Sequence, residues 1–167
     1  MRSVIVGIDP GLANTGWGVV EVRGSRLRCL AYGCVTTDSQ TPLAERLTAI
    51  HEELLAVVSR YSPSEAAVEN VYFGANAKSA FATGQARGVA ILALANAGGL
   101  LGEYSPAQIK HAVVGEGAAD KCQVAYMVKE ILGLDAVPHP DHAADALAVA
   151  ICHSSACRSL AYGQVAI

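Results

Sequence analysis

Residues 4–20 read VIVGIDPGLANTGWGVV: an apolar run that stops at Asp9, passes Gly11, Gly16 and Gly18, and turns apolar again. SVIVGID (3–9) is β-rich and nearly continuous in apolar residues, which predicts a central strand covered on both faces. PGLANTGWG is read as the hairpin connection that lets the next strand pair while leaving the aspartate open. TGWGVVEV (15–22) and RLRCLAYGCVTT (26–37) follow after short breaks, VRGSR being a hairpin-like turn, so three strands form an antiparallel meander.

Beyond the meander the period changes. TPLAERLTAIHEELLAVVSRY (41–61) sets Leu43, Leu47, Ile50, Leu54 and Val57 or Val58 at helical spacing, with Thr41 as N-cap and Pro42 in the first turn. SEAAVENVYF (64–73) predicts a strand carrying Glu69, and residues 76–97 an alanine-rich helix. Gly84 and Gly88, four apart, let another backbone approach that helix: either the sheet, which is the reading taken from sequence alone, or a partner subunit. LLGEYSP (100–106) predicts a strand ended by proline. PAQIKHAVVG and ADKCQVAYMVKEILGL give two short helices separated by GEG (115–117), and DHAADALAVAICHSSA (141–156) a last helix with Asp141 as N-cap. The order implies an α/β fold with a mixed sheet, its parallel strands joined by right-handed helical crossovers. The ends of strands 4–9 and 66–71 then lie side by side.

The 167 residues are 52% hydrophobic with a mean hydropathy of +0.33, enough for a substantial core in one domain. No window approaches the ~18–20 apolar residues of a membrane span. MRSVIVGIDPG runs straight into a patterned strand rather than a signal peptide, so a cytoplasmic protein without membrane association is expected. The five cysteines, Cys29, Cys34, Cys122, Cys152 and Cys157, lack C-x-x-C spacing and are read as reduced thiols. Cys152, His153 and Cys157 could in principle supply metal ligands; buried free thiols on a helix are the simpler reading. The net charge of −3 argues against a nucleic-acid partner only as an average. Residues 30–69 carry six acidic side chains against two basic ones, whereas residues 70–129 carry five basic against three acidic.

Three acidic positions need explanation. Asp9 ends a strand in good turn chemistry and could be structural. Glu69 lies within an apolar strand, where an ionised side chain either faces solvent or needs a cation or donors. In DHAADALA, His142 and Asp145 are three apart and Asp141 and Asp145 four apart, so either pair can share a helix face; capping by Asp141 and a solvated Asp145 is the plain alternative. Taken together, Asp9, Glu69 and Asp145 with His142 make a set of hard ligands that repels itself unless divalent cations neutralise it, which suits Mg²⁺ or Mn²⁺. Two such ions ~4 Å apart would serve phosphodiester hydrolysis.

The order GIDPG, VENVYF, GQARG, VVG…DKCQVAYMV and HAADALAVA closely resembles the RuvC-type Holliday junction resolvases, over essentially the whole chain. The resemblance implies an RNase H-like fold with a five-stranded mixed sheet flanked by helices, residues 1–157 forming the nuclease domain and 158–167 a C-terminal tail. It implies a homodimeric endonuclease of recombination and repair that nicks two strands of a four-way DNA junction symmetrically with two Mg²⁺ or Mn²⁺ ions per site. Asp9, Glu69 and Asp145 match the catalytic, metal-binding carboxylates, and His142 stands at a family position that is aspartate in some members and histidine in others. Asp141, beside it, is left as a cap or a helper of the metal. Lys110 and Lys121 match basic positions that meet the DNA backbone, and Tyr72 and Phe73 an aromatic pair that can stack on opened bases, with Tyr72 the exposed member. Asn76, Lys78 and Arg87 are further DNA contacts. By the same resemblance the Gly84–Gly88 helix becomes part of a dimer interface, and the RuvA and RuvB branch-migration complex a partner.

Two other readings are weighed. GID-x-G also opens actin-like and sugar-kinase phosphate-binding domains, which need a second domain that 167 residues do not provide. A catalytically silent junction-binding protein would keep the fold without the intact carboxylate set.

Overall fold

The structure, a computed structural model, describes residues 2–70, 77–95 and 100–161. Strands β1 (Arg2–Asp9), β2 (Asn14–Arg23) and β3 (Arg26–Thr36) form the expected meander, and β4 (Glu65–Glu69) and β5 (Leu100–Tyr104) extend it to a five-stranded sheet in the order β3-β2-β1-β4-β5. The β1–β2 and β2–β3 pairs are antiparallel, the β1–β4 and β4–β5 pairs parallel. Ile8 pairs with Val68, so Asp9 and Glu69 end neighbouring strands.

Helices cover both faces, which is why β1 is apolar almost throughout. On one face α1 (Leu43–Tyr61) and α2 (Ala77–Ala95) bury Ile50, Leu54, Ala86, Ala90 and Leu94 against Val6, Ile8, Val19 and Val68. On the other α3 (Pro106–Val114), α4 (Lys121–Leu132) and α5 (Asp141–Ala161) pack against Ile5, Val20 and Ala67, with Leu147, Val149 and Ile151 of α5 buried. Strand alternation puts Ile5, Gly7 and Asp9 of β1, and Glu65, Ala67 and Glu69 of β4, on the α5 face.

Gly16 and Gly18, read both in the strand 15–22 and in the hairpin connection before it, have a further use. Gly16 and Gly18 lie inside β2, and with Gly7 they floor the α5 contact. A Cβ on Gly16 would stand 1.9 Å from the His142 carbonyl oxygen, and one on Gly7 2.2 Å from that of Ala146. Alpha-5 therefore rests backbone on backbone over β1 and β2. The connection itself closes through Thr15, whose hydroxyl donates to the Gly11 carbonyl at 2.7 Å.

Several expected details change. Helix α1 starts at Leu43 with Pro42 at the N-cap, so Thr41 is not the cap and Pro42 precedes the first turn; the proline ring fixes φ at −53° and no side-chain oxygen closes the end. Asp141 is the first residue of α5, not its cap: the Pro140 carbonyl already accepts from Ala143 N at 2.8 Å. Alpha-5 continues to Ala161, past the expected end at 156. Among the described residues, a Cβ on Gly84 or Gly88 would meet nothing within 4 Å, so these glycines do not seat α2 on the sheet; Ala86, Ala90 and Ala93 do. Beta-4 ends at Glu69, and Tyr72, Phe73, Asn76 and the side chain of Lys78 lie outside the described residues. Two capping boxes went unread: Ser105 with Gln108 opens α3, and Asp120 with Gln123 opens α4.

Candidate active site

Beta-1 and β4 deliver Asp9 and Glu69 to one edge of the sheet, and the glycine-floored contact brings the first turns of α5 over them. His142 Nδ1 lies 2.7 Å from Asp9 Oδ2. Ligand atoms of Asp9, His142 and Asp145 fall within 4.8 Å of one another. Glu69 lines the same cleft, of about 340 Å³, with Lys110 and Lys121 on its α3 and α4 wall and Pro106, Ile109, Val124 and Ala148 as its apolar lining. Lys121 Nζ reaches Asp145 Oδ2 at 3.1 Å. Asp141 is exposed and outside this group, which leaves it as a first-turn acid favoured by the positive end of α5.

The electrostatics follow from crowding. Burial, then the charges of Asp9 and Asp145, push the Glu69 carboxyl up to about 8. Burial also raises Asp145, against the pull of Lys121. The hydrogen bond to Asp9 raises His142, and the bond to Asp145 raises Lys121. The crowded, half-buried carboxylates thus hold protons that Lys121 and the imidazole beside them do not displace. The donor set fits hard divalent cations: carboxylate oxygens and one imidazole drawn within 4.8 Å of one another.

Arg87 is engaged elsewhere. Its guanidinium donates to Asn70 Oδ1 at 3.0 Å and is paired with the Glu103 carboxylate. Asn70 N donates to the Tyr104 carbonyl at 2.8 Å, so the residue after Glu69 is held by both main chain and side chain. Asn70 and Thr83, which line a smaller recess beside Asp9 and Glu69, were not singled out in the sequence. The polar break after the apolar AAVE was the available signal for Asn70.

A family profile for the crossover junction endodeoxyribonuclease RuvC matches residues 5–153. The chain belongs to this family. RuvC of Treponema pallidum (strain Nichols) is 51% identical over 160 residues, 96% of this chain and 82% of that protein. RuvC of Heliobacterium modesticaldum is 52% identical over 149 residues, 89% of this chain and 92% of that one. The structure of Thermus thermophilus RuvC in complex with Holliday junction substrate superposes with a TM-score of 0.89 at 40% identity, covering 97% of each chain. The yeast mitochondrial Holliday junction resolvase Ydc2, 13% identical with a TM-score of 0.67, shares the fold. The RNase H-like architecture expected from the sequence is thus that of the RuvC family, with its five-stranded mixed sheet.

Proposed function

We propose that this RuvC-family chain is a structure-selective endodeoxyribonuclease that resolves four-way DNA junctions by paired, symmetric nicks. The observation that carries it is the convergence of Asp9 and Glu69, at strand ends, with His142 and Asp145, at the start of α5, in one cleft walled by Lys110 and Lys121. These four side chains would hold two Mg²⁺ or Mn²⁺ ions. Ions bound there would activate a water against the scissile phosphodiester and stabilise the leaving oxygen.

The chain's own residues do the rest. Asp9 at the end of a central strand, and His142 and Asp145 on a helix seated on main chain, hold the donors rigidly. Lys110 and Lys121 are placed to hold the DNA backbone; Lys121, paired with Asp145, links phosphate binding to the position of a carboxylate. Tyr72 and Phe73, with Asn76 and Lys78, follow Glu69 in the chain and are proposed to meet the crossover. Arg87 acts there through Asn70.

Two nicks require two sites. Exposed Phe81 (66%) and Leu92 (59%) on α2, beside the open faces of Gly84 and Gly88, support a homodimer through that helix. Cytoplasmic work beside the RuvA and RuvB complex completes the proposal. Within it residues 1–157 are the nuclease domain and 158–167 the tail, a boundary that falls in the last turn of α5 (Asp141–Ala161).

The test is a synthetic four-way junction incubated with the protein and Mg²⁺ or Mn²⁺. The native protein should give paired nicks with ligatable ends, and Asp9→Asn should bind the junction but lose roughly 10²-fold or more in nicking rate. Binding without nicking by the native protein would establish the silent junction-binding alternative instead.

A further inference from the structure

The end of α5 remote from the catalytic cleft carries a second set of ligand atoms. Glu65 Oε2 lies 3.2 Å from His153 Nε2 and 3.2 Å from Cys157 Sγ, and His153 Nε2 lies 3.6 Å from Cys157 Sγ. Element geometry explains the second meeting. Glu65 stands four residues before Glu69 on the same face of β4, ~13 Å back along the strand. His153 stands eight residues after Asp145 on α5, ~12 Å along a helix that runs the opposite way. Cys157, one helical turn further, joins it.

We propose that Glu65, His153 and Cys157 form a site for one Zn²⁺ ion that ties the start of β4 to the C-terminal turns of α5. Zinc ligated at ~2.3 Å by sulfur and ~2.0–2.1 Å by nitrogen or oxygen, at tetrahedral angles, sets sulfur and nitrogen ~3.6 Å apart and nitrogen and oxygen ~3.3 Å apart. The observed nitrogen–oxygen and sulfur–nitrogen separations, 3.2 and 3.6 Å, are those of such an ion's ligands, and the sulfur–oxygen pair at 3.2 Å would open by a few tenths of an ångström to the ~3.5 Å of the same geometry. A thiolate, an imidazole and a carboxylate select zinc over the magnesium and manganese suited to the catalytic set. The ion would displace the Cys157 thiol proton to solvent, and the two anionic ligands would then balance its charge. A neutral complex is one that this largely buried site can hold.

The surroundings hold the imidazole in the orientation a metal needs. His153 is 3% exposed, and its Nδ1 lies 2.8 Å from Tyr104 Oη. In the tautomer with the proton on Nδ1, that N–H donates to the tyrosine oxygen and Nε2 turns its lone pair toward Glu65 and Cys157. Gly102 on β5 clears the space: a Cβ there would stand 2.4 Å from His153 Nδ1. Cys152 is not part of the set, its thiol facing the Gln108 carbonyl at 3.7 Å.

The rival is a trio closed by hydrogen bonds alone, and cobalt separates the two. Metal-free, full-length protein titrated with Co²⁺ should develop a near-ultraviolet sulfur-to-cobalt charge-transfer band. That band should vanish in Cys157→Ser, weaken at least about tenfold in apparent affinity in Glu65→Gln, and persist in Asp145→Asn and Cys34→Ser. Zn²⁺ should raise the Tm of Asp145→Asn by several degrees more than that of the double variant with Cys157→Ser; circular dichroism establishes that each variant is folded. Absence of the band in the native protein, or its survival in folded Cys157→Ser, would overturn the proposal.

Discussion

His142 and Asp9, 133 positions apart in the chain, meet at 2.7 Å between Nδ1 and Oδ2. The imidazole is thus bonded to the carboxylate at the end of the central strand, and the helix that carries it brings Asp145 to the same place. A nitrogen donor in an otherwise oxygen set is a choice with chemical consequences.

The first concerns metal preference. Imidazole is a softer ligand than carboxylate, so the native protein should nick a four-way junction faster with Mn²⁺ than with Mg²⁺ at matched concentrations, and His142→Asp should shift the ratio toward Mg²⁺. Equal rates with the two metals in both proteins would contradict this.

The second concerns the helix seat. With a Cβ on Gly16 only 1.9 Å from the His142 carbonyl oxygen, Gly16→Ala must displace the start of α5 by about 1 Å. We expect a loss of roughly 1–3 kcal/mol in denaturant unfolding. Because a displacement of that size at a reacting centre costs roughly 10²-fold in rate, nicking should fall further than stability suggests. Gly84→Ala, which meets open space, should leave unfolding close to native.

A third follows from protonation of the metal-free protein. The Glu69 carboxyl is raised from its ordinary 4.5 to about 8. The folded state therefore holds a proton that the unfolded state has released, so this contribution is present below about pH 4.5 and lost as pH rises through 8. Asp145 and His142 are raised and act in the same sense, whereas buried His153, lowered, acts against them. The difference between native protein and Glu69→Gln isolates the first effect. The two should unfold alike at pH 4.5, and the glutamine variant should be more stable by roughly 1–2 kcal/mol at pH 8.5 after solvent screening. Mn²⁺ should reverse the order. Parallel curves for the two proteins across this range would rule the assignment out.

A fourth separates the lysines. Lys110→Ala and Lys121→Ala should each reduce the salt dependence of junction binding by about one phosphate's worth of slope, uniformly across junction sequences. Lys121→Ala should also slow nicking under saturating DNA, because of the two lysines it is the one bonded to Asp145. An unchanged slope in both would remove the lysines from the DNA surface.

Much of this was legible in the chain because it is periodic. The meander, the crossovers and the juxtaposition of Asp9 and Glu69 follow from apolar period and element order, and the His142–Asp145 pair from helix spacing. What escaped depends on register between distant segments. Gly16 and Gly18 show no packing role in the strand 15–22 until α5 is laid across them. Arg87 looks like a free cation until Glu103 is placed beside it by the β4–β5 pairing. Cys157 is an ordinary helix thiol without Glu65, 92 positions away. The capping boxes at Ser105 and Asp120 were readable by rule, each with glutamine three residues on.

The glycine floor under α5 also separates two kinds of change. Since the helix is gauged against the strands by main-chain contact at Gly7 and Gly16, the spacing of His142 and Asp9 is set first by backbone, with the interlocking valines, leucines and isoleucines holding the helix down on it. Changes in the interior away from these contacts are therefore felt less at the site than changes at the contacts themselves. The glycines themselves have no such tolerance.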